Sequence, residues 1–404
     1  MKKDLKKYFA IFVLIVIAVI YGVVFFNTRL EIEDKKDIQV VFGHELKQVP
    51  GAKASVFEQA QEPEIQTDLN IHQLGEYKIN YAVKLFNILP VRWDSVNVQV
   101  VDVTAPFIHV DDEGPIFVKK DTEFVAPAVT VRDDCDPAPL TKISDDIDMN
   151  TPGEYKLRIE ASDASNNVRK KVIRVIVGDV ASEDFDKPFR LKDYFDESVV
   201  LAESDAISEN EFSQWYFIGD SNMYNMSMNR YLNPTHVICR YALAPSNFDG
   251  DMIWNNSEEV YRTTYELLEE GRVKPQKILL TMGLADVKSG NPEIFISQYE
   301  EVLDRLEELV PDCTIVIGSI WPIVKDNYEG LPTQRSINMY NYLIAQMAER
   351  RGMQVLDTAD TYQDGTGHGI AEYYKEDGFH IKGDYFWVFK DYAKYHLGSV
   401  DERE

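Results

Sequence analysis

Two short motifs, far apart in the sequence, carry residue types that act together in nucleophilic catalysis. Gly219-Asp220-Ser221 lies in the middle of the chain, and Asp377-Gly378-Phe379-His380 lies near its C-terminus. A serine hydroxyl becomes a nucleophile when a base accepts its proton, and that base needs an acceptor to orient its other ring nitrogen. An Asp three residues before a His supplies both groups from one turn. Ser221, His380 and Asp377 are therefore candidates for nucleophile, base and orienting carboxylate.

The residues around Ser221 predict a strand followed by a helix. The run Trp215-Tyr216-Phe217-Ile218 is apolar without a break, which is typical of a strand buried on both faces of a sheet. The residues after Ser221 place methionines among polar residues in a helical pattern. We therefore expect Ser221 at a strand-to-helix turn, close to the positive end of a helix dipole.

Four more apolar segments follow, at residues 237–239, 278–280, 314–317 and 355–356, and helical patterns separate them. The clearest helix begins at Asn291-Pro292, a favourable cap and first-turn pair, and carries an apolar face from Phe295 to Val310. Strands that alternate with helices predict an α/β domain with a parallel five-stranded sheet covered on both faces. In such a sheet the chemistry collects at the carboxyl ends of the strands, where Ser221 is expected.

Composition narrows the classes of partner. The chain of 404 residues has a formal net charge of −26, which argues against a nucleic-acid partner because nucleic acids bind to basic surfaces. The three cysteines, Cys135, Cys239 and Cys313, are too few and too scattered for a disulfide framework or a zinc knuckle. We expect three small, buried hydrophobic side chains there, and neither a metal nor a cofactor is required for the chemistry predicted above.

The N-terminus carries a membrane-spanning pattern. Residues 8–26 are almost wholly apolar, and the basic segment 1–7 in front of them contains four lysines. Such a run approaches the ~20 residues that span a bilayer, and lysines on its N-terminal side favour a cytoplasmic N-terminus. An uncleaved anchor in the cell membrane is the preferred interpretation, because no small-residue cleavage site follows Phe26. A cleaved signal peptide is the alternative, and both place the bulk of the chain outside the cytoplasm.

Residues 37–103 and 104–178 are predicted to form two tandem all-β domains. Gly75-Glu76-Tyr77-Lys78 recurs as Gly153-Glu154-Tyr155-Lys156, and apolar residues alternate after each copy. The second copy, which opens with Asp102-Val103-Thr104-Ala105-Pro106, resembles bacterial surface Ig-like domains. Asp133-Asp134-Cys135-Asp136 is interpreted as an acidic turn, with a calcium site as the less favoured alternative. Residues 179–212 are read as an acidic linker with one docked segment.

The C-terminal motifs together resemble those of the SGNH (GDSL-type) hydrolases, a family of esterases, lipases and acyl-transfer enzymes. The resemblance covers about residues 214–398 of a domain predicted at 213–398, and it rests on Gly219-Asp220-Ser221, on Gly283-x-x-Asp286 and on Asp377-x-x-His380. It implies a flavodoxin-like, three-layer fold, with Ser221 as nucleophile, His380 as base and later acid, and Asp377 as the residue that orients the imidazole.

The oxyanion hole departs from the pattern of that family. The family's third motif usually contains an Asn that donates to the oxyanion, but this position is Ala285. Its second motif normally supplies a glycine amide, whereas Arg240-Tyr241-Ala242-Leu243-Ala244 has no glycine. The residues considered for the oxyanion hole and substrate binding are Ser221, Ala242, Ala244, Asn222, Gly283 and Asp286, with Asn222, Asn225 and Asn247 as the side-chain amides that would replace the missing one.

These features predict a membrane-anchored, extracytoplasmic serine esterase that removes acyl groups, such as acetyl groups, from cell-wall or surface polysaccharide. The predicted partners are an acylated glycan or another ester, and the cytoplasmic membrane. Two alternatives stay open: an O-acyltransferase that acts on surface glycans with the same triad, and a surface-binding protein whose hydrolase domain is catalytically weak, which Ala285 favours.

Overall fold

The structure is a computed structural model that describes residues 2–86, 88–111, 114–255, 262–288, 290–326 and 330–400. The chain divides into two compact units. The first unit consists of the described residues up to 111, together with 128–144 and 158–171. The second unit consists of residues 114–127 and 145–157 and the described residues from 172 onward.

The first helix, α1 (Lys2–Phe26), contains the apolar run expected near the N-terminus. Its 22 residues Leu5–Phe26 are long and apolar enough to cross a membrane, since 22 residues at about 1.5 Å each span roughly 33 Å. A signal sequence has the same length and composition. The helix is therefore established, whereas its anchoring role is a proposal.

The strand-rich part begins directly after α1. The first seven strands form a three-stranded sheet in the order β1-β3-β4 and a four-stranded sheet in the order β2-β7-β6-β5. Ile32 of β1 and Val40 of β2 share one buried core with Ile79, Tyr81 and Val98 of the long strands. The strands are β1 (Thr28–Ile32), β2 (Ile38–Val41), β3 (Ala52–Val56), β4 (Gln59–Gln61), β5 (Glu64–Thr67), β6 (Gly75–Leu85) and β7 (Leu89–Val101).

The next six strands form a two-stranded sheet, β10-β8, and a four-stranded sheet in the order β11-β12-β13-β9. The strand β13 pairs with β9 in parallel, as β7 does with β2. The strands are β8 (Phe107–Val110), β9 (Ile116–Lys119), β10 (Val129–Arg132), β11 (Leu140–Asp145), β12 (Gly153–Ser162) and β13 (Val168–Gly178).

The sequence repeat corresponds to a repeat in structure. Its two copies begin the strands β6 and β12. In both copies the tyrosine hydroxyl donates to the carbonyl four residues earlier, over 2.9 Å from Tyr77 and 2.8 Å from Tyr155. In both, the lysine N–H donates to an Asp ten residues earlier, from Lys78 to Asp68 and from Lys156 to Asp146. After each tyrosine, the apolar residues at every second position are buried, and the residues between them are more exposed, as period-two alternation predicts.

The C-terminal part contains alternating strands and helices. Their bounds are α2 (Glu209–Phe212), β14 (Tyr216–Gly219), α3 (Ser221–Met228), β15 (Val237–Cys239), β16 (Ile253–Trp254), α4 (Thr264–Glu269), β17 (Lys277–Thr281), α5 (Leu284–Val287), α6 (Pro292–Leu309), β18 (Thr314–Gly318), α7 (Gln334–Arg351), β19 (Gln354–Leu356), α8 (Thr358–Tyr362) and α9 (Phe386–His396). Short 3-10 turns lie at Ser182–Asp186, Leu191–Asp193, Pro234–His236, Pro245–Asn247, Ala371–Tyr373, Gly383–Tyr385 and Leu397–Ser399.

The sheet of this domain is mixed and has six strands, in the order β16-β15-β14-β17-β18-β19. All five expected strands are present and pair in parallel, but β16 adds an antiparallel edge to β15. The prediction of a purely parallel, five-stranded sheet is therefore wrong. The cause is length, because the two residues Ile253–Trp254 are too short to show a strand periodicity.

Helices cover both faces of the sheet. Alternate strand residues face opposite sides, so that Ile218, Leu280 and Ile317 belong to one buried cluster and Phe217, Leu279 and Val316 to another. The first cluster contains the apolar faces of α6 and α7, and the second contains residues of α3 and α9. The cap predicted for α6 is present, since the Asn291 side chain accepts a hydrogen bond from the Ile294 N–H. The domain is thus a three-layer α/β/α structure.

Residues 179–201 pack against the sheet. The Leu201 N–H donates to the Val355 carbonyl over 2.9 Å, and the Val355 N–H donates to the Val199 carbonyl over 2.7 Å, so this segment extends the edge at β19. Phe185 and Leu191 are almost completely buried in the domain core. Residues 179–201 are therefore a folded part of the domain and not a linker. The acidic side chains that suggested a linker are mostly exposed on the surface of this segment.

Candidate active site

Ser221 lies where β14 ends and α3 begins, as the sequence predicted. Asp220 caps α3, because its side chain accepts a 2.9 Å hydrogen bond from the Asn222 N–H. At Gly219 a Cβ atom would lie 2.5 Å from Met223 Cγ and 2.6 Å from Thr281 Oγ1, so a side chain has no room there. The strand end, the glycine and the cap fix the backbone that presents the Ser221 hydroxyl.

The three residues with the predicted catalytic types are brought into one hydrogen-bonded chain. Ser221 Oγ lies 2.8 Å from His380 Nε2, and His380 Nδ1 lies 2.9 Å from Asp377 Oδ2. Ser221 and His380 are partly buried. This order of hydroxyl, imidazole and carboxylate is the one that permits a serine to lose its proton to a base whose tautomer is fixed by an acid.

The turn that carries His380 is held by its own carboxylate. Asp377 Oδ1 accepts hydrogen bonds from the backbone N–H groups of His380 and Phe379, over 2.9 and 3.2 Å. Burial raises the pKa of Asp377, but the hydrogen bonds from the His380 backbone and imidazole lower it by more than burial raises it. The net pKa of Asp377 therefore lies below its ordinary value. Asp377 therefore remains a carboxylate and an acceptor for the imidazole N–H.

Asn222 joins the two halves of the site. Its Nδ2 donates to the Phe379 carbonyl over 3.2 Å, and its Oδ1 accepts from the Ile381 N–H over 3.1 Å. The residue is only 3% exposed. From the sequence, Asn222 is a candidate donor to the oxyanion or substrate, but both of its polar atoms contact the backbone on either side of His380. This contact links residues more than 150 positions apart, and no local sequence signal indicates it.

The loop after β15 separates the two alanines considered for the oxyanion hole. Ala242 has a left-handed backbone with φ of 55°, which costs an alanine about 1 kcal/mol, and it lines the cleft beside Ser221. The Ala244 N–H donates to Asn247 Oδ1 over 3.1 Å, and Asn247 Nδ2 donates to the Ala242 carbonyl over 2.9 Å. Ala244 and Asn247 are thus both used to shape the loop.

The two residues taken from the Gly-x-x-Asp motif also shape this loop. The Gly283 N–H donates to the Leu243 carbonyl over 3.1 Å, and φ at Gly283 is 129°. Asp286 accepts hydrogen bonds from the backbone N–H and the hydroxyl of Ser246, over 3.0 and 2.6 Å. Ala285, between them, is exposed and lines the cleft with a methyl group.

A cleft of about 460 Å³ lies next to Ser221 and His380. Asn225, one helical turn after Ser221 on α3, contributes to its wall. Within the part of the chain that the structure describes, the Asn225 side-chain amide has no hydrogen-bond partner. The side-chain amides of Asn222 and Asn247 are hydrogen-bonded to the backbone. Of the three candidate amides, only that of Asn225 both lines the cleft and has no hydrogen-bond partner among the described residues.

Beneath the site, a buried network connects the ends of β18 and β19. Ser319 Oγ donates to Asp357 Oδ1 over 2.9 Å, and Asp357 Oδ2 accepts from the Leu191 N–H over 3.0 Å. Burial raises the pKa of Asp357 to about 6, although these hydrogen bonds act in the opposite direction. This network attaches the 179–201 segment to the ends of β18 and β19, at the edge of the sheet where the candidate active site lies.

In the strand-rich part, Asp133 accepts hydrogen bonds from the Cys135 and Asp136 N–H groups, over 2.9 and 2.8 Å, which is the geometry of a turn. Its carboxylate also lies within 4.8 Å of those of Asp102 and Asp163. All three cysteines are free, and Cys135 is only partly buried, contrary to the expectation of three buried thiols.

Comparison with a protein-family model supports the assignment of this domain. Residues 217–383 match the model of the GDSL-like Lipase/Acylhydrolase family. No curated protein matches the sequence. Similar solved structures include a GDSL-like lipase from Bacteroides thetaiotaomicron, with 12% identity over 45% of this chain and 86% of the other and a TM-score of 0.35. An acetylxylan esterase from Geobacillus stearothermophilus has 14% identity over 47% and 96% of the chains, with a TM-score of 0.31.

A carbohydrate acetylesterase from Sinorhizobium meliloti has 10% identity over 46% of this chain and 99% of the other, with a TM-score of 0.33. The family match begins in β14, includes all three motifs found in the sequence and ends just after His380. Residues 217–383 thus form a GDSL-type hydrolase domain, and the protein is an ester-hydrolysing serine hydrolase.

Proposed function

We propose that this protein removes acyl groups, acetyl groups above all, from cell-wall or surface polysaccharide through a Ser221-His380-Asp377 triad. The observation that carries the proposal is the continuous hydrogen-bonded chain from Ser221 Oγ through His380 to Asp377, with distances of 2.8 and 2.9 Å. The choice of a glycan rests on the arrangement of the chain, in which an apolar helix and two strand-rich repeats precede the hydrolase domain.

The mechanism follows from this geometry. His380 Nε2 accepts the hydroxyl proton as Ser221 Oγ attacks the ester carbonyl carbon, and Asp377 stabilises the resulting imidazolium. His380 then gives its proton to the leaving alcohol, which produces an acyl-serine. Water, deprotonated by His380, attacks this acyl group and releases the carboxylic acid and free Ser221.

The oxyanion needs hydrogen-bond donors that point into the cleft. Among the described residues, the N–H groups of Ser221 and Ala242 have no acceptor, whereas those of Ala244 and Gly283 are already donated within the loop. We assign the two free N–H groups to the oxyanion hole, and the Asn225 side-chain amide replaces the donor that Ala285 lacks. The strained backbone of Ala242 supports this assignment, because strain of this kind persists where function requires it.

We further propose that α1 anchors the protein in the cytoplasmic membrane, with its N-terminus in the cytoplasm and the two strand-rich repeats, residues 37–103 and 104–178, as Ig-like spacers outside. The lysines that precede the apolar run support this topology. Retention of the full-length protein in membranes washed with alkaline carbonate is expected, and release into the wash would contradict it.

The activity is tested with the full-length protein in detergent, using p-nitrophenyl acetate and acetylated xylan or peptidoglycan fragments. We expect turnover that is lost in Ser221→Ala. Acetyl transfer to an added oligosaccharide, without release of acetate, would instead identify an acyltransferase. Absence of turnover on every ester would favour a binding protein, the alternative for which Ala285 is the specific observation.

A further inference from the structure

The cleft beside Ser221 differs in charge from the rest of the protein. The chain as a whole contains 68 acidic and 42 basic residues. Among the described residues that line the cleft, however, Lys288 and Lys375 are basic and only Asp220 is acidic. Asp220 turns its carboxylate toward the first turn of α3, where it caps the Asn222 N–H. The described residues of the cleft wall therefore include two lysines and one acidic residue, the reverse of the balance in the whole chain.

The two lysines come from two sides of the site. Lys375 lies on the turn that carries the base, because its N–H donates to the His380 carbonyl over 2.7 Å. Lys288 follows α5, the helix that contains Ala285. The Lys288 Nζ lies 3.4 Å from the position of a Cβ at Gly330, another residue of the cleft wall. Lys375 thus starts from a hydrogen-bonded turn and Lys288 from the C-terminal end of α5, both in the wall of the cleft beside Ser221.

Neither lysine forms an ion pair with any described residue, although carboxylates are abundant. Elsewhere in the domain, Lys390 and Lys394 both contact Glu209, and Lys192 contacts Asp360. Lys288 and Lys375 are exposed, and they stand beside the apolar surfaces of Leu284, Leu331 and Phe379. A pair of unneutralised cations next to apolar walls attracts anions more strongly than the same charges in open solvent.

We propose that Lys288 and Lys375 form an anion-binding subsite that selects esters carrying a negative charge, and this inference rests on the proposed esterase function. An acetyl group has no charge, so the charge lies on the alcohol part of the substrate, as a phosphate or a carboxylate. Each exposed lysine contributes roughly two- to fivefold to the preference, as is typical of single surface ion contacts. The effect weakens as salt screens the charges.

The test compares three aryl acetates hydrolysed by the full-length protein: methyl 4-acetoxybenzoate (neutral), 4-acetoxybenzoate (carboxylate) and 4-acetoxyphenyl phosphate (phosphate). We expect Lys288→Ala combined with Lys375→Ala to lower kcat/KM for the anionic esters about 4- to 25-fold, while that for the neutral ester changes less than twofold. Lys→Arg at both positions should retain the preference. The ratio of the two anionic rates distinguishes a phosphate from a carboxylate ligand.

Lys274→Ala is the matched control. Lys274 is also exposed, but it lies before β17, at the end of the sheet opposite Ser221, and it should leave all three rates unchanged. An unchanged ratio of anionic to neutral rates in the double variant, with the neutral ester still hydrolysed, would overturn the subsite but not the esterase. A parent protein that hydrolyses none of the three esters would overturn the esterase function and the subsite with it.

Discussion

Asn222→Ala is the substitution that most sharply tests how the site is held together. Asn222 is 3% exposed, and its amide makes two hydrogen bonds to the backbone on either side of His380, over 3.2 and 3.1 Å. Alanine leaves the Phe379 carbonyl and the Ile381 N–H without these partners. Each net hydrogen bond contributes about 1 kcal/mol, so we expect the variant to lose roughly 2 kcal/mol of folding free energy.

The effect on catalysis should exceed the effect on binding. A displacement of a catalytic group by about 1 Å costs up to ~100-fold in rate, so we expect kcat to fall about 10- to 100-fold. KM should change less than about threefold, because Asn222 does not line the cleft with a free group. The assay is steady-state hydrolysis of p-nitrophenyl acetate, together with urea unfolding followed by circular dichroism.

Asn291→Ala provides the control for stability. Asn291 caps α6 through a 3.1 Å hydrogen bond to the Ile294 N–H, and loss of this cap should cost about 1 kcal/mol without touching the site. The reasoning is refuted if Asn222→Ala retains the kcat of the parent protein. It is also refuted if Asn291→Ala lowers kcat as much as Asn222→Ala does.

Three further substitutions test the oxyanion assignment and the folded 179–201 segment. Asn225→Ala should lower kcat about 10- to 1,000-fold with an unchanged melting temperature, and unchanged kcat would remove Asn225 from the oxyanion hole. Ala242→Gly should raise or preserve stability, by up to about 1 kcal/mol, and retain activity, because glycine adopts φ of 55° without strain; a large loss of activity would contradict this. Asp184 is buried, which raises its pKa, but hydrogen bonds from Lys187, Ala181 and Lys119 lower it to about 2. Its folded pKa is thus below the unfolded value of 3.8, so the stabilisation of about 2 kcal/mol is complete above about pH 4 and is lost as the pH falls toward 2. Asp184→Asn should therefore destabilise the protein at pH 7 in urea unfolding and about half as much at pH 3, and an equal loss at both would contradict the linkage.

Much of the fold could be predicted because it depends on local patterns. The buried strands are continuous apolar runs, and α6 shows both its cap and its apolar face in the sequence. The edge strand β16 could not be predicted, since two residues carry no period. For residues 179–212 the sequence predicted an acidic linker with one docked segment, but it did not indicate that residues 179–201 pack against the sheet. The buried residues of this segment, such as Phe185 and Leu191, lie in 3-10 turns and bends among acidic side chains and follow no helical or strand period.

The site was predictable where function depends on residue type and spacing. Asp377 and His380 share one turn, so their relation was visible in the sequence, and Ser221 was placed by its strand. The roles of Asn222 and Asp286 were not visible, because their side chains contact backbone groups of distant loops. Amides and carboxylates near a nucleophile look alike in sequence whether they contact the substrate or support the loops around it.

Covalent labelling of Ser221 tests the central claim most directly. The full-length protein is treated with a fluorophosphonate, and the modified residue is located by mass spectrometry of its peptides. A hydroxyl 2.8 Å from His380 Nε2 should form one stoichiometric adduct at Ser221, which disappears in Ser221→Ala and slows greatly in His380→Ala. No adduct on the folded parent protein, or an adduct on another residue, would contradict the account.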